Sequence, residues 1–406
     1  MSQRPPVLST ALLIAGAAVG AGILGMPVQT GLAGFGPTTI GLLIMALAMW
    51  VNAWILAEGL IRRGAGKEDL AWLFHQELGQ GGRWLTIAGY LINYYGVMVA
   101  YLAGAGAVLA ALFKWEAGQS ALTLGFFVPA TALTLFGVAV VRRGNALLML
   151  LLGASFLYLL WRSWQGMQPA RLTYTDWGYL PSVLPIIMCS LAFHNMVPLT
   201  CRSLEFKRGP IMAALGLGTL ATLVLSLFLT AAVVGALPLQ SGDGASLWSA
   251  FQADQPATVP LAQSLKAPGI MTAGSIFSIC AILTSYLAVG TALMGFWRDL
   301  WPGAKRWSRA ALTFIPPIIV VYLYPNLFLE ALDLAGGLGV GLVFGVAPAL
   351  VLLRWRPASP WLRLGGWALL ILFAGIVSLE LAQEAGWLHI NPNVEYWTSY
   401  QPRSGH

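Results

Sequence analysis

The sequence predicts an all-α polytopic membrane protein with eleven transmembrane helices, and three observations predict it. Of its 406 residues, 58% are hydrophobic and only 9% charged, where soluble domains carry about 25% charged residues. The mean hydropathy is +0.75. Apolar runs long enough to cross a bilayer, which takes about 20 residues, recur between short basic or turn-rich breaks. Residues 1–406 therefore form a single transmembrane domain.

In chain order the spans fall at about 7–33, 38–61, 84–113, 120–141, 145–164 and 181–204, then 211–238, 269–297, 308–324, 328–353 and 362–386. Between the second and third, KEDLAWLFHQELG is too short and too charged to cross, and predicts an amphipathic helix at the surface. The first apolar run is too long for a cleavable signal and stays as a helix.

The first span carries its own interruption. Val19 to Gly34 reads VGAGILGMPVQTGLAG, with Gly20, Gly22 and Gly25 followed by Pro27, the residues least suited to a continuous helix. An unpaired backbone group in hydrocarbon costs several kcal/mol, so a break survives only where protein, water or a ligand satisfies it. Pro27 after three glycines favours a binding site, with a Gly-rich packing face as the alternative. Gly20 to Gly25 also fits G-x-G-x-x-G, but a dinucleotide fingerprint follows a soluble strand, and this one lies inside an apolar span.

The sixth span is interrupted too, by Phe193-His194-Asn195-Met196-Val197-Pro198. The second break comes five helices after the first, the spacing of an inverted five-plus-five repeat: one half about 7–164, the other about 181–353, and an extra helix about 362–386. In that arrangement the half-helix ends face one midplane site. N-terminal ends attract a carboxylate, and C-terminal ends and free carbonyls a cation or ammonium.

Charge sets the orientation. With the N-terminus in the cytoplasm, 17 of the 22 Lys and Arg residues fall on the inner side. Only Lys114, Arg162, Arg171, Lys266 and Arg403 fall outside. The C-terminal tail is then periplasmic, with Trp387, Trp397 and Tyr400 suited to the outer interface.

Several function classes are excluded. Cys189, Cys201 and Cys280 lack the spacing of a disulfide framework or a zinc site. The net charge of +7 is spread over short loops and does not indicate nucleic acid. The chain shows no H-E-x-x-H, no D-D-x-x-D and no paired membrane aspartates, so an enzyme is not expected, and neither is a cofactor or resident metal. Pore loops or charged rings of a channel are not visible, nor is a nucleotide site for primary active transport.

The segments GAGILGMPVQTGLAGFG, SLAFHNMVP, ILTSYLAVGTALMGFWRDL and LTFIPPIIVVYLYP, in this order and spacing, resemble the bacterial aromatic amino acid permeases. These form part of the hydroxy and aromatic amino acid permease family, and the tyrosine-specific members are the most similar. The resemblance runs over nearly the whole chain. It implies the leucine-transporter fold with broken helices 1 and 6, a place in the bacterial inner membrane, and proton-driven symport of an aromatic L-amino acid. Tyrosine is the first expectation, with tryptophan and phenylalanine beside it.

Carried over position by position, the resemblance gives Gly20, Ala21, Gly22, Ile23, Gly25 and Met26 the substrate's amino and carboxyl groups. Phe193 and His194 match the family's pair in helix 6, while Asn195 and Met196 stand where smaller residues are expected. Tyr95 and Tyr101 match tyrosines that face substrate. Thr284 and Ser285 fall where related folds place sodium ligands, and Glu58 matches a family glutamate. Each has a structural alternative. His194 can be a neutral core histidine bonded to a carbonyl, and Tyr95 and Tyr101 ordinary packing aromatics. Thr284 and Ser285 can bond back to their own helix, and Glu58 can reach Arg62 four residues on. Glu330 and Asp333, at the start of the tenth span, are expected near outer water.

One departure bears on coupling. Tyrosine-specific members carry a lysine in helix 5, where this chain has Leu152. The proton then falls to a carboxylate or to His194, or Thr284 and Ser285 bind sodium instead. A sodium-coupled symporter and a transporter-fold amino acid sensor are the alternatives.

Overall fold

The structure, a computed structural model, describes residues 7–18, 20–64, 66, 69–241, 245–266 and 269–393, without the side chains of Ala21 and of 138–146. The expectations for Lys67, Trp397, Tyr400 and Arg403 lie outside the described residues. Among those residues the chain is helical throughout, with no strand.

The first span divides into α1 (Val7–Ala18) and α2 (Ala21–Ala33). The two halves bend by 62°, and Gly20 lies between them in an extended conformation. α3 (Phe35–Arg62) follows, then α4 (Leu70–Phe113). Within α4, Gly79 adopts φ 70° and ψ −151°, a conformation that L side chains rarely take, and splits off residues 70–78. That short piece buries Leu70, Leu73, Phe74 and Glu77, the stripe of a helix lying on a surface.

α5 (Gln119–Phe136) and α6 (Val138–Gln165) meet at Gly137, earlier than the boundary expected near residues 142–144. A β-carbon on Gly137 would stand 2.8 Å from the Leu133 carbonyl oxygen, so glycine is what permits the tight turn. The sixth span divides into α7 (Leu180–Ser190) and α8 (Val197–Ser203), and α9 (Arg208–Ala236) follows. Two short helices, α10 (Leu247–Gln252) and α11 (Thr258–Leu265), lie in the next connection. α12 (Ile270–Leu300) and α13 (Arg306–Leu323) lead to a composite span of α14 (Phe328–Leu334), a π-helix at Ala335–Val346, and α15 (Ala347–Arg354). α16 (Pro360–Glu384) is the last helix described.

Among the described residues nine helices are long and apolar enough to cross a membrane, or ten with α1 and α2 taken together. The expected span that falls outside this set, 308–324, is present as α13. Its 18 residues begin with Arg306 and Arg309 and include Pro316 and Pro317, which lower its apolarity. The protein is a multi-pass membrane protein.

Burial shows what lies at the centre. The most apolar stretch of α4 is 78% buried and that of the α14–α15 span 83%, against 17% for those of α5 and α6. α5 and α6 thus form a lipid-facing rim around a core of α4 and the π-helix. π-helices are mostly single-turn bulges, yet this one runs 12 residues. Its glycines admit neighbours to backbone contact: a β-carbon on Gly339 would lie 2.6 Å from the Asn93 nitrogen, and one on Gly336 would overlap the Pro185 carbonyl.

The two ends of the bundle differ. At the basic end, Arg62 and Arg208 share Glu58, Arg63 bonds Glu77 at 2.7 Å, and the Trp355 indole donates to Glu77 at 3.1 Å. At the other end α10 and α11 cover α2: the Ala257 amide donates to the Leu24 carbonyl at 3.0 Å. There Asp254 caps α14, accepting from the Phe328 amide and, at 2.8 Å, from the Leu329 amide. Burial pushes the Asp254 carboxyl up to about 6, against the pull of those two amides.

Candidate substrate-binding site

The two breaks face each other. A β-carbon on Gly22 would stand 3.0 Å from Ser190 Cα and 3.3 Å from the Cys189 carbonyl carbon, so the start of α2 lies against the end of α7. No side chain caps the α2 N-terminus, which leaves backbone N–H groups and the positive end of the helix dipole for an anion. Gly20 sits under two hydroxyls: a β-carbon there would lie 2.9 Å from Ser285 Oγ on α12 and 3.4 Å from Tyr101 Oη on α4. Tyr101 Oη and Ser285 Oγ thus flank the same point from α4 and α12. One extended glycine, one uncapped helix end and two hydroxyls therefore converge, the donor set a carboxylate requires.

A cavity of about 440 Å³ opens at the basic end and reaches the second break, a size within the roughly 300–1,000 Å³ of small-molecule sites. Asp69, Arg83 and Asp299 stand at its charged mouth, while Tyr90, Tyr94, Phe296, Asn195 and Pro198 line its walls. Tyr90 stacks on Tyr94 with centroids 5.3 Å apart and meets Phe296 and Phe344 edge-on at 6.2 and 5.9 Å. The cavity and the first break are connected along two helices. Tyr94 lies seven residues before Tyr101, and Ala292 of the cavity wall seven after Ser285, about 10 Å in each case at 1.5 Å per residue.

The residues singled out in the sequence separate into three groups. Gly20, Tyr101 and Ser285 come together at the first break, and Asn195 lines the cavity. Gly22, Ile23 and Met26 are buried where α2 meets α7, with the Ser190 hydroxyl 3.2 Å from the Met26 sulfur. Ala21 opens α2, and its side chain lies outside the described residues. The remainder are engaged elsewhere. Gly25 packs on α14, where a β-carbon would meet Leu332 at 2.8 Å and Leu329 at 3.0 Å. Tyr95 is turned away from the break and donates to the Leu312 carbonyl at 2.6 Å. Thr284 donates back to the Cys280 and Ala281 carbonyls at 2.9 and 3.1 Å. Glu58 accepts from Arg62 at 2.8 Å and from Arg208 at 2.9 Å.

His194 is fully buried, with Nε2 2.9 Å from the Met49 carbonyl. That acceptor fixes Nε2 as the protonated nitrogen and leaves Nδ1 without a partner. The ring is sandwiched between Phe193 and Phe344, with centroids 4.9 and 5.0 Å away. It is the inner end of the aromatic wall that begins at Tyr90.

The model of the tryptophan/tyrosine permease family matches residues 3–383. The chain belongs to this family. It is 26% identical to tyrosine-specific transport system 1 of Haemophilus influenzae, over 94% of this chain and 98% of the relative. It is 27% identical to a tryptophan-specific transport protein of Pseudomonas aeruginosa, over 93% and 94%. Glutamine transporter 2 of Aliivibrio fischeri is 26% identical, over 85% and 88%. Among solved structures, MhsT in complex with L-phenylalanine superposes with a TM-score of 0.61 at 17% identity, covering 94% of this chain and 98% of MhsT. That likeness shows the fold, the leucine-transporter fold that the two breaks call for.

Two cavity residues of this permease escape a motif-based search, Tyr90 and Tyr94. The signal lies in helical spacing: positions 90, 94, 97 and 101 share one face of α4, whereas Tyr95 is a further 100° around.

Proposed function

We propose that this permease carries an aromatic L-amino acid into the cytoplasm across the bacterial inner membrane, by alternating access and driven by protons. Tyrosine is its first substrate, with tryptophan and phenylalanine beside it. The observation that carries this reading is the meeting of Gly20, Tyr101 and Ser285 at the uncapped start of α2, about 10 Å along α4 and α12 from a cavity walled by aromatic rings. The polar cluster suits the α-carboxylate, and the rings offer an aromatic side chain stacking surface without a fixed charge. The tyrosine- and tryptophan-specific relatives support the same substrate class. With the basic end in the cytoplasm, the cavity faces inward and α10 and α11 close the outer side. Substrate alternates between the two sides as these closures exchange.

Equilibrium binding of labelled tyrosine to the purified protein tests the substrate class. Tryptophan and phenylalanine compete with it, and glutamine, serine and arginine do so only at much higher concentration. Tighter binding of any of those three than of all the aromatic amino acids would overturn the assignment. The sodium reading draws on Ser285 alone, since Thr284 is bonded to its own helix. A sensor, unlike a transporter, would bind tyrosine and show no counterflow in proteoliposomes.

A further inference from the structure

A buried polar pair joins α2 to α14, apart from the residues that line the cavity. Gln29, one turn beyond Gly25, donates through Nε2 to Asp333 Oδ2 at the end of α14. Gln29 is 5% exposed. The other half of this pair is unsatisfied: Gln29 Oε1 and Asp333 Oδ1 are both buried and neither has a hydrogen-bond partner. Both are acceptors, and two orphaned acceptors on one residue pair are costly in an apolar interior. A single proton on Asp333 Oδ1 turns that atom into a donor with Gln29 Oε1 as its acceptor, the cyclic pairing of a carboxylic acid with an amide. It also removes the charge.

A second acid lies nearby. Glu380 of α16, 4% exposed, reaches the π-helix at Gly337, where a β-carbon would stand 2.7 Å from its Cγ. Among the described residues it has no hydrogen-bond partner and no basic neighbour. It lies within electrostatic range of Asp333. A carboxylate at Asp333, already facing an amide oxygen that it cannot bond, is left without a compensating cation, and a proton on Oδ1 relieves both the charge and the two orphaned acceptors. The other groups near Asp333 are Glu384 on α16, Asp254 between α10 and α11, and Tyr179 and Cys189 at α7, with Glu330 of α14 next to Glu384 and Asp254. None is a cation.

We propose that Asp333, with Gln29 and Glu380, is the site that binds the co-transported proton. This rests on the proton-driven reading above and gives it an atomic location. The proton leaves a hydronium ion in the outer water as water and forms one O–H bond on the acid pair. It later leaves to water on the inner side. While bound, it fastens α2 to α14. Once lost, it leaves a buried carboxylate that repels Glu380 and loosens that contact. Because α2 also carries Gly20 and the substrate end, proton and substrate act on one moving helix.

Proteoliposomes containing wild type, Glu380→Gln, Asp333→Asn and Glu380→Asp test this, with two readouts. Tyrosine counterflow needs no net proton movement. Accumulation driven by an imposed pH gradient, with lumenal pH followed by a trapped dye, does. Wild type is expected to show both. Glu380→Gln and Asp333→Asn are expected to keep counterflow within about threefold and to lose at least tenfold of the gradient-driven accumulation and the tyrosine-induced acidification. Glu380→Asp keeps both. Gradient-driven accumulation retained in both amide variants would overturn the site while leaving proton coupling intact. A wild type with counterflow and no response to pH would instead overturn proton coupling itself. Mass-spectrometric mapping of carbodiimide adducts on wild type reports independently of variant folding. Protonated acids in apolar surroundings react, so adducts are expected on Asp333 or Glu380, and their appearance only at other acids would overturn the proposal.

Discussion

Substituting Gly20 by alanine isolates the polar cluster from everything else that the first break does. The backbone at Gly20 is extended, which alanine adopts freely, so the new methyl group acts by occupancy alone. That methyl would stand 2.9 Å from Ser285 Oγ and 3.4 Å from Tyr101 Oη, in the space between those hydroxyls and the start of α2. Both neighbours are side-chain tips that can give by a few tenths of an ångström, so folding is preserved. A carboxylate held there loses at least one charge-assisted hydrogen bond, a net contribution of about 1.5–3 kcal/mol. This corresponds to about ten- to hundred-fold weaker binding. Gly22→Ala is the control: its methyl would meet Ser190 and Cys189 backbone at 3.0 to 3.3 Å, which cannot move as easily. Overpacking of that kind costs about 1–3 kcal/mol of stability. Scintillation-proximity binding of labelled tyrosine, with melting temperatures measured in parallel, separates the two. Wild-type affinity in a stably folded Gly20→Ala would refute the carboxylate site.

Three further outcomes are expected. Tyr94→Leu removes a ring from the cavity wall; an aromatic contact made to the substrate there is worth about 0.5–1.5 kcal/mol, so tyrosine binding should weaken about two- to tenfold, whereas Tyr95→Phe stays within about twofold in the same assay. Glu58→Gln weakens the charge-assisted hydrogen bonds that a buried carboxylate accepts from two half-exposed arginines, a cost of about 1.5–3 kcal/mol; a fall in melting temperature with unchanged affinity is expected. Asp254 titrates at about 6 when folded against an ordinary 3.8, so the folded connection holds its proton more tightly. Its closure is therefore firmest below about pH 4 and loosens as pH rises to about 6, seen as faster hydrogen exchange at the Ala257 amide and removed by Asp254→Asn.

The sequence shows the fold more fully than the site. The broken first and sixth spans are written in Gly20 to Pro27 and in Phe193 to Pro198, because glycine, proline and polar groups inside an apolar run do not sustain a continuous helix in hydrocarbon. The surface helix before the third span is visible just as directly, in its charge and shortness. The π-helix is not: a glycine-rich apolar run is equally compatible with an ordinary α-helix, and only the folded backbone shows the widened turns, with Asn93, Pro185 and Glu380 packed against its glycines. Within the site, Gly20 is visible as part of the glycine-proline break itself, whereas Tyr101 and Ser285 are reached only through the family resemblance, since nothing local in α4 or α12 marks them. Tyr94 and Tyr95 differ by 100° of rotation, and which of them faces the cavity depends on how α4 packs. Asp333 looks like a residue near outer water until Gln29, 304 positions away in sequence, is seen bonded to it.

The most direct measurement is tyrosine uptake by wild-type protein in proteoliposomes with proton and sodium gradients imposed separately. One unit of pH, acid outside, supplies about 1.4 kcal/mol per proton, enough for about tenfold accumulation of a substrate carried with one proton. Uptake of that size without sodium, abolished by a protonophore and competed by tryptophan and phenylalanine, is the predicted result. Uptake that follows the sodium gradient and ignores pH, or no uptake of any aromatic amino acid under either gradient, would contradict proton-driven aromatic transport.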